Sequence, residues 1–189
     1  MRKRIGFLVA ALLAFALPVT AAHADEYSDT INLFKKAQES RDFFSTADGY
    51  AVFPSIGKGG VGIGGAYGKG RVYEKGKYIG DTSMTQVSVG LQLGGQAYSQ
   101  IIFFQDAAVL KKFTAGNFEF SADASAVAIT AGASAKAGTT GTSAGASATK
   151  NKAATTGAYN NGMAVFTVAK GGLMYEASLA GQKFNYKPK

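Results

Sequence analysis

Cysteine is absent from this sequence of 189 residues, tryptophan is also absent, and histidine occurs once. Without cysteine the chain can form neither a disulfide nor a thiolate nucleophile. The single histidine, His23, lies in an N-terminal segment that we expect to be removed, so the commonest general base would leave with it. The spacing of the 12 acidic residues selects no catalytic pair. We therefore expect no enzymatic activity, no metal site and no cofactor.

The N-terminus has the three parts of a secretory signal peptide. The basic start "MRKR" precedes an apolar run, Ile5 to Val19, and the small-residue site "AHA" at 22–24. The run is shorter than the ~20 residues that a membrane-spanning helix needs. We predict a signal peptide over residues 1–24 and one domain over 25–189 that is periplasmic or secreted. No cysteine follows the site, so we expect no lipid anchor there.

Acidic residues are also few, since 20 lysines and arginines face 12 aspartates and glutamates. Loss of Arg2, Lys3 and Arg4 with the signal peptide lowers the net charge from +8 to +5, so the mature domain remains basic. A basic secreted domain is suited to anionic partners. We expect no nucleic-acid partner, because the aromatic residues lie mostly within strands and a secreted protein rarely meets RNA.

Glycine, by contrast, is abundant, and Gly60, Gly62 and Gly65 spell the dinucleotide fingerprint G-x-G-x-x-G. That fingerprint binds a nucleotide only where it opens a helix. Here it is followed by "AYGKGRVYEKGKYIG", which is typical of two strands joined by a turn at Lys75-Gly76. The context therefore argues against a nucleotide site, and we expect no bound nucleotide.

The glycines alternate instead with period two. Residues 61, 63 and 67 are large, whereas residues 60, 62, 64, 66, 68 and 70 are glycine or alanine. The pattern predicts one extended ribbon from Gly60 to Gly70 with a bare face. Because glycine weakens a strand, a bare face suggests that a helix or a second sheet layer packs very close to it.

Two helices are predicted from apolar spacing and capping residues. The first covers Asp25 to Phe44, with Ser28 or Asp29 as its N-cap. The second is short: Asp106 caps it and Gly116 ends it.

Most other segments alternate as strands do, and Pro54 is expected to limit the pairing of the first strand. Lys170-Gly171-Gly172 is expected to join the two strands of a closing hairpin, and an insert at about 132–158 consists almost wholly of Gly, Ala, Ser, Thr and Lys. Helices and strands are grouped, which indicates an α+β fold. We expect a curved antiparallel sheet, of sandwich or half-barrel type, packed with an N-terminal helix and a short internal helix.

Several segments in order resemble the SYLF domain family. They are "GYAVFPSIGKGGVGIGGAYGKG", "VSVGLQLGGQAYSQIIFF", "DAAVLKKFTAGNFEFSADASA" and the closing "VAKGGLMYEASLAGQKF". The resemblance covers about residues 47–186, and the glycine strand together with "FSADAS" is its most specific part. Two departures are the absence of the cysteine that carries a lipid in some bacterial members and the long, plain insert at about 132–158.

The resemblance implies a domain that binds phospholipids. Eukaryotic members bind phosphoinositides, and some yeast members bind actin filaments. A secreted chain meets neither, so the expected partner is the anionic phospholipid surface of the cell envelope. The alternative is a structural or protein-interaction domain of the periplasm, with an envelope protein as partner and no lipid binding.

Candidate lipid-binding residues come from two regions. The glycine region contributes Lys58, whose neighbouring glycine amides could also donate to a phosphate, together with Lys69 and Arg71. The first helix contributes Lys35, Lys36, Arg41, Phe43 and Phe44. Two alternatives stay open: the lysines keep an exposed sheet soluble, and the phenylalanines cover the domain's own core.

Overall fold

The computed structural model describes residues 20–61, 63–89, 95–121, 124–129, 157–170 and 179–189. In chain order its elements are α1 (Thr20–Lys36), α2 (Phe43–Thr46), β1 (Gly49–Val61), β2 (Ile63–Glu74), β3 (Lys77–Val89), β4 (Gln96–Phe104), α3 (Ala107–Thr114), β5 (Phe118–Glu119), β6 (Val127–Ile129), β7 (Met163–Lys170) and β8 (Lys183–Pro188). The strands form one curled half-barrel sheet in the order β5-β8-β3-β2-β1-β4-β7-β6. The predicted α+β class is therefore confirmed.

The sheet is mixed rather than wholly antiparallel. β6 pairs with β7 in parallel, and every other described pair of strands is antiparallel. A parallel neighbour needs a long connection. The chain between Ile129 and Met163 is long enough to provide one, whereas the other pairs include tight hairpins.

The curl gives the sheet an inner and an outer face. Phe53 on β1 and Phe184 on β8 lie three places apart in the sheet, yet their ring centroids are 5.6 Å apart. Three flat strand spacings would separate them by about 14 Å, so these rings lie inside the curve. The inner face also packs against Leu110 and Phe113 of α3. The outer face packs against α1 through Phe34.

The bare face of the glycine strand is buried, as the alternation predicted. Along β2, the inner positions from Gly64 to Gly70 are buried and the outer ones are exposed. The close neighbour is neither a helix nor a second sheet. A Cβ at Gly70 would lie 2.7 Å from the ring of Phe53, and one at Gly68 would lie 2.5 Å from Ile56. Side chains of β1 on the same inner face therefore occupy the space that the glycines leave.

The expectation of one ribbon from Gly60 to Gly70 is wrong. The chain reverses between Val61 and Ile63, so that Gly60 pairs with Gly64 and Gly59 with Gly65. Period-two reading could not detect the reversal, because the glycines of the two strands continue the same alternation through the turn.

Pro54 does not end the pairing of β1, as we had expected, but coincides with a bulge. The register of β1 shifts between Val52 and Ser55 against β2, and between Phe53 and Ile56 against β4. Pairing then continues with β2 as far as Val61 and with β4 as far as Lys58. Pro54 has no partner in either ladder, so the amide donor that proline lacks is not needed at this position.

The first helix ends earlier than predicted, at Lys36, and Ser28 and Asp29 lie within it rather than at its N-cap. The chain turns after Lys36, and the buried Ser40 hydroxyl stabilises this turn by donating a hydrogen bond to the Phe34 carbonyl oxygen at 2.6 Å. A single further helical turn, α2, then carries Phe43 and Phe44.

Other local predictions are confirmed. The Asp106 carboxylate accepts a hydrogen bond from the Val109 amide at 2.9 Å and so caps α3. Gly116 ends that helix with a φ of 85°. Lys75 and Gly76, with φ of 47° and 79°, form the tight turn between β2 and β3.

Two predictions lie outside the described residues. The insert at 132–158 falls there apart from its last two positions, and so does the second strand of the closing hairpin, at 173–178. The described strand that follows, β8, pairs with β3 and β5.

A pair of amides bridges the hollow of the half-barrel. Gln100 on β4 and Gln182, just before β8, donate to each other at 3.0 and 3.3 Å. The Gln182 amide nitrogen also donates to the Tyr98 hydroxyl at 3.2 Å. These buried side chains come from strands that are not neighbours in the sheet, so the hydrogen bonds connect its two halves across the inner face.

We predict that Gly70→Ala destabilises the fold by about 1–3 kcal/mol, because the new methyl group would overlap the Phe53 ring and the Val52 carbonyl oxygen. Gly57→Ala is the matched control, because a Cβ there meets no atom within 4 Å. It should leave stability unchanged or raise it by up to about 1 kcal/mol. Urea denaturation of both variants measures the difference, and equal stability would contradict the packing argument.

We also predict loss of stability at alkaline pH. Burial raises the pKa of Tyr98 to about 12 and that of Tyr50 to about 12, above the ordinary value of 10.0. The folded protein thus holds these protons more tightly than the unfolded chain does, so the stabilisation is complete below pH 10 and is lost between pH 10 and 12. Tyr98→Phe should cost about 1 kcal/mol at pH 8 and flatten the alkaline decline. If the stability of Tyr98→Phe fell as steeply between pH 10 and 12 as that of the unmodified protein, titration of Tyr98 would not cause the alkaline loss.

Candidate functional site

The outer face of β2, β3 and β8 lies beside α1. Strand register places three rows of side chains across it, which are Tyr67–Thr85–Lys183, Lys69–Ser83–Asn185 and Arg71–Asp81–Lys187. Their inner neighbours, such as Met84 and Phe184, are buried in the core. Successive side chains of a strand point to opposite faces of the sheet. Because the apolar residues of these strands point into the core, the polar residues between them point outward.

Lysines dominate this surface, which we call the lysine face and define by Lys69, Lys183 and Lys187. Lys183 forms an exposed ion pair with Glu119 at 3.5 Å. Among the described residues, no ion pair involves Lys69 or Lys187. Ser83 and Asn185 continue the row of Lys69, and Lys187 lies two residues after Asn185 on β8, in the next row. The arrangement offers cations and neutral hydrogen-bond donors to an anion.

A cleft of about 390 Å³ lies in this face. Its lining includes Tyr27, Tyr67, Lys69, Ser83, Asn185 and Lys187. Such a volume is at the small end of ligand sites, and it suits one polar headgroup rather than a whole lipid.

Arg71 connects the edge of the lysine face to α1. Its guanidinium lies 4.3 Å from the ring centroid of Tyr27, on α1, and 5.1 Å from that of Tyr78. It also approaches the Asp81 carboxylate at 4.0 Å. These contacts hold the middle of α1, at Tyr27, against β2. Arg71 thereby acts as a positioning residue, with less freedom to meet a ligand than Lys69.

Asp81, the acidic residue within the rows, is already engaged. The Tyr78 hydroxyl donates to it at 2.8 Å. Desolvation and this hydrogen bond raise the pKa of Tyr78 to about 12, since both disfavour the phenolate. The negative charge of Asp81 is therefore balanced locally by Arg71, and the face stays basic.

Lys58 lies on the opposite side of the sheet from Lys69. It pairs with Ala66 and Gln96, and it shares the inner face with buried Ile56. The adjacent glycines pair with β2 in the same ladder. The structure thus separates the best single sequence candidate from the other two in the glycine region.

The aromatic candidates of the first helical region pack on the domain itself. The Phe43 ring centroid lies 5.1 Å from that of Phe166, and the Phe44 centroid lies 4.8 Å from that of Phe103. Lys35 lies over the Phe44 ring at 5.5 Å. These contacts favour the alternative in which the phenylalanines cover the core.

The other two cations of this region do not share one arrangement. Lys36 is exposed at the end of α1, and Arg41 pairs with neighbouring Asp42 at 3.4 Å. They lie apart from the rows of the lysine face, and their predicted part in lipid binding stays a prediction.

Sequence reasoning missed Lys183, Asn185 and Lys187. The signal was available, because "KFNYKP" alternates polar and aromatic residues in a strand-like pattern. What was missing was the pairing of this strand with β3, which brings these residues beside Ser83 and Lys69.

No group of three or more His, Cys, Asp or Glu side chains among the described residues is arranged to hold a metal ion. No helix within them is long and apolar enough to span a membrane.

Comparison with known proteins supplies the family. Residues 85–188, which include the end of β3 and the elements from β4 to β8, match the family described as Ysc84, Las17-binding protein actin regulator. Beta cell expansion factor A of Aeromonas veronii is 29% identical over 158 residues, which are 82% of this chain and 51% of that protein. The chain thus spans about half the length of this curated relative. The match extends over more than half of the sequence, and the chain belongs to the Ysc84 family of SYLF domains, as its motifs had suggested.

Proposed function

We propose that this chain is a non-enzymatic domain of the cell envelope that binds anionic phospholipid surfaces through its lysine face. SYLF domains are a family known for lipid binding, which supports the class of ligand. The signal peptide predicted over residues 1–24 supports the location. The proposed contact is reversible, because salt screens the attraction between exposed lysines and an anionic surface.

The observation that carries this proposal is the row Lys69–Ser83–Asn185 with Lys187 beside it. Adjacent strands lie about 4.8 Å apart and residues rise about 3.3 Å along a strand, so the backbone positions of the two lysines, two strands and two residues apart, lie roughly 12 Å from each other. Each cation near an anionic leaflet gains about 1 kcal/mol. The intervening hydroxyl and amide can donate to phosphate oxygens within the cleft.

Several of the described carboxylates already have structural partners, which supports a non-enzymatic role. Asp81 accepts from Tyr78, Asp106 caps α3, and Glu119 pairs with Lys183. Glu26 likewise pairs with Lys170 at 3.4 Å. Carboxylates with such structural partners are poorly suited to general acid–base work.

We predict that the double variant Lys69→Gln/Lys187→Gln binds anionic vesicles about 30-fold more weakly at low salt, since it loses two contributions of about 1 kcal/mol. Lys111→Gln/Lys112→Gln is the matched control, because it removes the same charge from α3, which packs on the inner face. Flotation with phosphatidylcholine vesicles, with and without phosphatidylglycerol, measures binding over a salt series. Binding of the unmodified protein should weaken as salt rises.

Three outcomes would contradict this proposal. Failure to bind either kind of vesicle at low salt would favour the alternative of a protein-interaction domain, especially if crosslinking captured an envelope protein without lipid. Equally weakened vesicle binding by both double variants would indicate attraction to the net charge of the domain rather than to the lysine face. A larger loss in Lys58→Gln than in Lys69→Gln would place the contact on the inner side of the sheet.

A further inference from the structure

Three large apolar side chains stand exposed at one end of the lysine face: Tyr67 in the row of Lys183, and Ile63 and Val87 beyond that row. Ile63 is 70% exposed, Val87 is 75% exposed and Tyr67 is 51% exposed. Val87 pairs with Gly65, so Ile63 and Tyr67 flank it on the outer face of β2. We call this group the apolar corner. The fourth large apolar side chain that stands exposed among the described residues, Leu33, lies apart from it on α1.

The backbone beside the apolar corner carries glycines that the fold does not require. A Cβ at Gly57 or Gly59 would meet no atom within 4 Å, and one at Gly65 would make a single ordinary contact at 3.6 Å. This contrasts with Gly70 on the inner face, where packing leaves no room. Packing within the domain therefore does not explain why these outer positions are glycine. Without side chains there, little besides backbone stands on the outer face at the end of the β1–β2 hairpin.

We propose that the apolar corner enters the boundary between headgroups and acyl chains when the lysine face binds an anionic bilayer. This inference rests on the function proposed above and adds the part of the domain that enters the lipid. Tyr67 lies two residues before Lys69 on the same face, so an amphipathic ring stands next to a cation. Tyrosine favours this level of a membrane, where one end of the ring is apolar and the other is wet.

The spacing along β2 fits an oblique approach. At about 3.3 Å per residue, Tyr67 lies about 7 Å and Ile63 about 20 Å beyond Lys69. A strand inclined by about 60° from the membrane normal halves these depths. Lys69 then stays near the phosphates while Ile63 and Val87 reach the 5–10 Å depth at which interfacial apolar groups are buried. Charge complementarity thus orients the domain with its apolar corner toward the acyl chains.

The absence of tryptophan allows a direct test. Val87→Trp places a single reporter in the apolar corner, and Ala108→Trp places one at an exposed position of α3 as the matched control. With phosphatidylglycerol-containing vesicles, emission of the Val87→Trp protein should shift to shorter wavelength and be quenched by lipids brominated near the top of the acyl chain. The Ala108→Trp protein should show neither change.

A pair of charge variants tests the same inference without a reporter. Ile63→Asp/Val87→Asp should lose the part of vesicle binding that survives at high salt, because burial of apolar surface is not screened. Ser45→Asp/Ala108→Asp adds the same charge at exposed positions away from the corner and should retain that part. Both positions of the corner are exposed, so the fold should persist, and circular dichroism checks this.

The outcomes separate this inference from the proposed function. Flotation with neither a spectral shift nor quenching at residue 87 would overturn insertion and leave binding by the lysine face intact. Equal high-salt binding of the two charge variants would overturn it as well. Absence of flotation at low salt would reject the proposed function itself, and insertion with it.

Discussion

Close packing of Phe53 and Ile56 against glycine-bearing β2 is the constraint on which the rest of this structure depends. A methyl group at Gly70 would overlap the Phe53 ring, so the sheet can curl this tightly only because the facing positions have no side chains. The curl brings Phe53 within 5.6 Å of Phe184 on a strand three places away. Large rings from one strand and missing side chains on the next thus replace the second layer that a flat sheet would need.

The same packing fills the inner face of the sheet and leaves part of its outer face exposed. Inside the curve, apolar residues and α3 fill the space. Outside it, α1 covers part of the sheet, and Arg71 contacts both the Tyr27 ring on that helix and the Tyr78 ring on β3. The outer side of β2, β3 and β8 carries lysines, hydroxyls and amides in register. The proposed contact therefore lies on the outer face, because the apolar residues of the same strands occupy the inner one.

Local features of the fold could be predicted from sequence, because each depends on a few neighbouring residues. The Asp106 cap, the Lys75-Gly76 turn and the bare face of β2 belong to this group. The side occupied by Lys58 could not be predicted. Before the bulge at Pro54, even-numbered Val52 faces outward, and after it, even-numbered Ile56 and Lys58 face inward. One extra residue thus reverses the alternation along β1, and with it the side of the sheet on which Lys58 lies.

The mutual hydrogen bonds of Gln100 and Gln182 give the domain a further property. Neither amide carries a charge, and both are buried, so their attraction does not vary with ionic strength or with protonation near neutral pH. Attraction between lysines and an anionic surface weakens steadily as ions are added. Added salt should therefore weaken the proposed contact with an anionic surface while these buried hydrogen bonds persist, and removal of the salt should restore binding.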